Sequence, residues 1–168
     1  MIVLGVDTAM RCTGYGLVEG NGDSFKALDC GVIRNPPKIP HSECLRRLAG
    51  GVRELVVNFK PDAASIEGAF YGKNIRTALI LGYARGCVMT VLAESGVPTF
   101  AYAPKEVKLA AAGFGGAQKA QVAYMMSMIL HLDVSNIEED ATDALALALC
   151  HAQRSVRADA ETFGAKRI

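Results

Sequence analysis

Asp140 and Asp143 stand three residues apart in EEDATDALALAL, where acids run straight into an alternating Leu/Ala stretch. On a helix that spacing puts both carboxylates on one face, about one turn apart. The apolar run needs a core, so this helix must pack its body on the molecule while its first turn presents acid. Two more acids, Asp7 and Glu67, close the short apolar runs IVLGVD and AASIE. Such runs read as strands, and sites in open α/β sheets gather beyond the carboxyl ends of strands. Taken singly, an aspartate at a strand end or helix start more commonly serves as a turn, a cap or a charge at the helix dipole. Four carboxylates meeting in one cleft are different, because they repel and partly protonate unless compensated. Hard divalent cations compensate them, since Mg2+ prefers carboxylate oxygen and keeps water in its remaining positions. Two such ions activate a water and stabilise the leaving oxygen of a phosphodiester.

The elements that would position these acids alternate along the chain. After the first strand, TGYGLVEG and FKALDCGVIR flank the turn signal NGD, giving a three-stranded antiparallel meander. NPPKIP at 35–40 forbids a regular element. HSECLRRLAGGVRELVVNFKP reads as a helix with Ser42 as N-cap and Glu43 in its first turn, ended by Pro61. DAASIEG follows as a strand, then a helix over 74–95, the strand TFAYA, and helices over about 104–112, 117–130 and 139–156. GFGG makes a hinge between the first two of those three. Ala and Leu are helix formers, so the Leu/Ala alternation is assigned to a helix. The expected fold is α/β: a five-stranded mixed sheet, antiparallel meander plus parallel strands, covered by helices on both faces. Residues 1–156 form one domain on this reading, and 157–168 a mobile tail.

The formal net charge of +1 does not advertise a nucleic-acid binder, so any basic surface must be local. One local candidate is GAFYGKNIR, where Phe70 and Tyr71 accompany Lys73 and Arg76 between glycines. Aromatics stack on unpaired bases and the cations meet phosphates; the bland reading is a surface loop with one aromatic tucked into the core. Lys105, Lys108 and Lys119, in PKEVK and AQKAQ, extend the basic set. Five cysteines without a CxxC pair suggest reduced thiols in a cytoplasmic protein. No basic leader precedes Asp7 and no stretch of about 18 uninterrupted apolar residues occurs, so no membrane span is expected. In ALILGYARGCVMTVL, Gly82 and Gly86 stand four apart, a spacing that serves close approach of a second helix or packing on the chain's own sheet.

Four blocks, IVLGVDTAMRCTGYGLVE, SIEGAFYGKNIRTALILGYARG, YAPKEVKLAAAGFGGAQKAQV and EEDATDALALALCHA, together resemble the RuvC-type Holliday-junction resolvases of the ribonuclease-H-like superfamily. The resemblance implies a ribonuclease-H-like fold and a metal-dependent endonuclease that resolves four-way DNA junctions by paired symmetric nicks, leaving 5′-phosphate and 3′-hydroxyl ends. It implies Asp7, Glu67, Asp140 and Asp143 as metal ligands, with Glu138 and Glu139 competing for the third place. Mg2+, or Mn2+ in its stead, would bind as two ions per site. Lys108 and Lys119 match lysines that approach the cleaved phosphate, Lys119 being the more direct, and Phe70 matches an aromatic used near the junction centre. A homodimer and branch-migration motor partners are implied as well. Thr8 and Ala9 stand where the family commonly has proline and glycine, and Tyr83 where it tends to have an amide; slower cleavage is expected from the first change. Two rival readings are a junction binder that has lost cleavage and a nucleotide-handling relative like the actin-like ATPases. The second would need another glycine-rich phosphate loop and roughly twice this length.

Overall fold

The computed structural model describes residues 1–68, 74–156 and 166–168. Strands β1 (Ile2–Asp7), β2 (Cys12–Asn21) and β3 (Ser24–Arg34) form the expected antiparallel meander. Strand β4 (Ala63–Glu67) lies parallel to β1 on its other side, and β5 (Thr99–Tyr102) lies parallel to β4. A two-residue strand β6 (Lys166–Arg167) pairs antiparallel with β5, so the order is β3-β2-β1-β4-β5-β6. The five expected strands are present, and the sixth comes from the end of the tail.

Alternation along β1 explains why it is apolar throughout. Leu4 and Val6 face a core shared with helices α1 (His41–Phe59) and α2 (Ile75–Glu94), through Leu48, Val52, Val88 and Leu92. Val3 faces the opposite core, built with Val18, with Met126 and Leu130 of α4 (Lys119–Leu130) and with Leu145 and Leu149 of α5 (Glu139–Val156). Helix α3 (Pro104–Ala112) packs beside them through Ala111. Both faces of the sheet are therefore covered. Helix α1 begins one residue before the expected cap. Pro40, with φ −60°, holds the N-cap position without a side-chain hydrogen bond, because its ring already sets the extended entry that Ser42 was expected to supply. Glu43 instead pairs with Arg46 at 2.6 Å.

Helix α5 lies directly on strand backbone. A Cβ at Gly5 would collide with the carbonyl oxygen of Ala144, and one at Gly14 with that of Asp140. At Gly16 it would stand 2.6 Å from the backbone nitrogen of Leu145. Gly5 pairs with Gly16 and Asp7 with Gly14 across β1 and β2, so the three glycines make one bare patch next to the first acid. The Leu/Ala run is legible in these terms, since alanines allow the helix to seat this closely.

By length and composition alone, α2 is long and apolar enough to cross a membrane, a test that core helices of soluble proteins also pass. The rule of uninterrupted apolar residues misses it because Arg76, Thr77 and Arg85 break the run. Ala84, Val88, Val91 and Leu92 bury one side on the core, while Ile75, Leu79, Leu81 and Tyr83 are exposed. Among the described residues nothing lies within 4 Å of a Cβ built at Gly82 or Gly86, so these glycines do not serve packing on the chain's own sheet.

Replacing Gly5 by alanine forces α5 outward and is expected to cost about 2–4 kcal/mol in urea unfolding. Gly50→Ala, in α1 with open space around it, is the control and should stabilise by about 0.5–1 kcal/mol.

Candidate active site

The strand alternation that sends Val3 and Gly5 toward α5 sends Asp7 the same way. On β4, Ala64 and Ile66 face the α1/α2 core, which turns Ser65 and Glu67 toward α5. Asp143 sits one turn into α5. Asp7, Glu67 and Asp143 line one cavity of about 260 Å³, together with Lys108, Lys119 and an apolar wall of Val107, Val122, Ala146 and Leu147. Three acids separated by up to 136 positions in sequence (143 − 7) thus meet at one place.

Their electrostatics are those of an undercompensated anionic site. Burial, then the charges of Glu67, Asp143 and Asp140, push the Asp7 carboxyl up to about 7, with Lys119 opposing. Burial and Asp143 raise Glu67, against Arg85. Burial raises Asp143, against Lys119 and Lys108. The donor set fits a hard divalent cation, since carboxylate oxygens surround the cavity and no Cys or His lines it. Among the described residues, no three His, Cys, Asp or Glu side chains close into a finished coordination group.

Asp140 borders the cavity without lining it. Its charge acts on Asp7, on Asp143 and on the Cys12 thiol. Burial, then the neighbouring Asp140, push that thiol up to about 11. The competing Glu138 and Glu139 are engaged elsewhere: Glu138 pairs with Arg34, and Glu139 with Lys119. Lys119 also stands 3.8 Å from Asp143. Lys105 and Arg76 are exposed, outside the cavity. Phe70, Tyr71 and Lys73 lie outside the described residues.

Sequence reasoning missed Arg85 and Cys12. Arg85, on the inner side of α2, donates a hydrogen bond to the backbone oxygen of Glu67. An arginine in the middle of an otherwise apolar helical run was the signal for it. Cys12 offered none, since a thiol beside an acid leaves no pattern.

The Thr8–Ala9 exit is held without a proline. Ala9 donates its N–H to Thr13 Oγ1 at 3.1 Å, and the Thr13 hydroxyl donates back to the Ala9 oxygen at 2.6 Å. Ala9 is not among the residues with positive φ, so its conformation does not require glycine. Tyr83 belongs to the exposed face of α2, away from the acids. His151 is a core residue: its Nδ1 lies 2.7 Å from the Tyr102 hydroxyl, and burial lowers it to about 4, keeping the ring neutral.

Residues 3–151 match the family model described as crossover junction endodeoxyribonuclease RuvC. The chain is 45% identical over 152 residues to the protein of that name from Pelotomaculum thermopropionicum, covering 90% of this chain and 93% of that protein. It is 48% identical over 151 residues to the one from Chlorobium phaeovibrioides, covering 89% of this chain and 80% of that protein. Among solved structures it is similar to T. thermophilus RuvC in complex with Holliday junction substrate, with a TM-score of 0.91 and 33% identity, covering 100% of this chain and 99% of that one.

Because Asp7 binds its proton more tightly folded than unfolded, its stabilising contribution is present below the unfolded value of 3.8 and lost as pH rises through about 7. In chelator at pH 7.5, Asp7→Asn should therefore be more stable than the parent. The expected gain is about 2 kcal/mol after allowance for solvent screening. Added Mg2+ should raise the melting temperature of the parent and leave that of the variant unchanged.

Proposed function

The chain belongs to the family of crossover junction endodeoxyribonuclease RuvC, an enzyme family of metal-dependent nucleases, and on that premise we propose how its residues do the work. It cuts four-way DNA junctions by paired symmetric nicks, through phosphodiester hydrolysis that leaves 5′-phosphate and 3′-hydroxyl ends. The observation that carries this reading is the meeting of Asp7, Glu67 and Asp143, from three separate elements, in one cavity with Lys108 and Lys119.

Asp7, Glu67 and Asp143 supply the oxygen ligands for Mg2+, with Asp140 completing the set from the rim; Mn2+ is an acceptable substitute, and two ions are held per site. When bound, these ions activate water and stabilise the leaving oxygen. The protein's own groups do the rest. Lys119, held between Glu139 and Asp143, exchanges a carboxylate partner for the scissile phosphate as DNA enters. Lys108 meets the same phosphate from the α3 side. The wall of Val107, Val122, Ala146 and Leu147 limits bulk water around the reacting group. Phe70 and Tyr71 stack on bases at the junction centre, while Lys73, Arg76 and Lys105 contact backbone phosphates. The Thr13 clasp on Ala9 does for the exit of β1 what a proline ring would do.

Two symmetric nicks require two active sites, which a two-fold dimer supplies. The exposed stripe of Ile75, Leu79 and Tyr83, continued by the open Gly82 and Gly86, suits close packing on its own copy. Branch-migration motors are the further partners, and chromosomal DNA places the work in the cytoplasm.

A synthetic four-way junction tests the activity. Binding in chelator, then Mg2+ addition and a denaturing gel, should give paired nicks from the parent. Asp7→Asn should bind normally and nick slower by roughly three orders of magnitude. A shift without nicks from the parent would leave a junction binder instead. Leu79→Glu should convert a dimer to monomer in sedimentation velocity and turn paired nicks into unlinked single ones; an unchanged dimer would move the interface elsewhere.

A further inference from the structure

Arg85 is not among the residues that line the cavity, yet it is hydrogen-bonded to the backbone of one that does. It projects from the middle of α2, half-buried, and donates to the backbone oxygen of Glu67. Burial opposes its charge, and Glu67 is the group that favours it. A guanidinium drawn out of water in an apolar helix costs free energy that an aliphatic side chain would not. Its partner explains its presence.

At the end of β4 the sheet holds the chain on one side only. The ladder with β1 stops at the Val6–Ile66 pair, one residue before Glu67. On the β5 side, Glu67 is in register with Tyr102, and the Gly68 N–H donates to the Tyr102 oxygen at 2.8 Å. The Glu67 carbonyl is taken by Arg85, so the peptide that aims the Glu67 side chain is clamped by β5 on one side and α2 on the other. We propose that Arg85 is a positioning residue that fixes the Glu67 peptide to α2 and so holds the Glu67 carboxylate ready for the metal. The proposal rests on the reading of Glu67 as a ligand. Groups that orient ligands in this way typically contribute 10–100-fold to metal affinity or activity.

The sign of the effect separates this role from a merely electrostatic one. If Arg85 only added positive charge beside the acids, removing it would tighten cation binding. If it positions Glu67, removing it loosens binding. The test is Mn2+ binding to the DNA-free protein, by electron paramagnetic resonance or calorimetry, for Arg85→Met, Arg85→Lys and Glu67→Gln. Arg85→Met should bind Mn2+ about 10-fold more weakly, and Arg85→Lys should recover part of the loss. Junction binding in chelator and sedimentation should stay as in the parent, and saturating Mn2+ should restore most of the nicking rate to Arg85→Met. Equal or tighter Mn2+ binding by Arg85→Met overturns the proposal; if that variant does not fold, unchanged binding by Arg85→Lys does so. Parent-like Mn2+ binding by Glu67→Gln would instead remove Glu67 from the ligand set, and the role of Arg85 with it.

Discussion

The contact of α5 with bare strand backbone at Gly5, Gly14 and Gly16 is what the rest of the molecule depends on. Any side chain there would push the helix off the sheet, and the first turn of α5 carries Asp140 and Asp143. Gly14 is in register with Asp7 and touches the backbone of Asp140. Fold and site therefore share one constraint: the helix seats deeply enough to bury its Leu/Ala face only where it also delivers its acids to the end of β1.

That delivery works against stability. Carboxylates brought to one partly buried place resist ionisation, and Asp7 is pushed to near neutral pH. Compensation comes in pieces from Lys119, Lys108 and Arg85, none of which closes the anionic cavity. Glu139 takes up much of Lys119, and Glu138 is paired with Arg34, so these two cations already have partners. The arrangement leaves charge unmet in the centre, which is the condition under which a hard cation binds strongly.

Much of this was legible in the sequence because it rests on periodicity. Buried strands ending in Asp7 and Glu67, and a helix opening with Asp140 and Asp143, follow from alternation and helical spacing. The bounds of α3 and α5 came out as expected, since proline and glycine punctuate the first and the acidic turn opens the second. Ser42 misled because a preceding proline already sets the entry to α1. The exposure of α2 was not legible, since an apolar helix reads alike whether it covers a core or awaits a partner. The split of roles among Glu138, Glu139 and Asp140 depends on which cations face them across the fold. No local pattern records that, and the same holds for Arg85 and Cys12.

Diffraction from crystals grown with Mn2+, using its anomalous signal, tests the central claim most directly. The expected result is a peak in the cavity with oxygens of Asp7, Glu67 and Asp143 about 2.0–2.2 Å away, as hard-cation coordination requires. A saturating Mn2+ concentration that leaves the cavity without a peak, or places the ion on Glu138 and Glu139 instead, would contradict it.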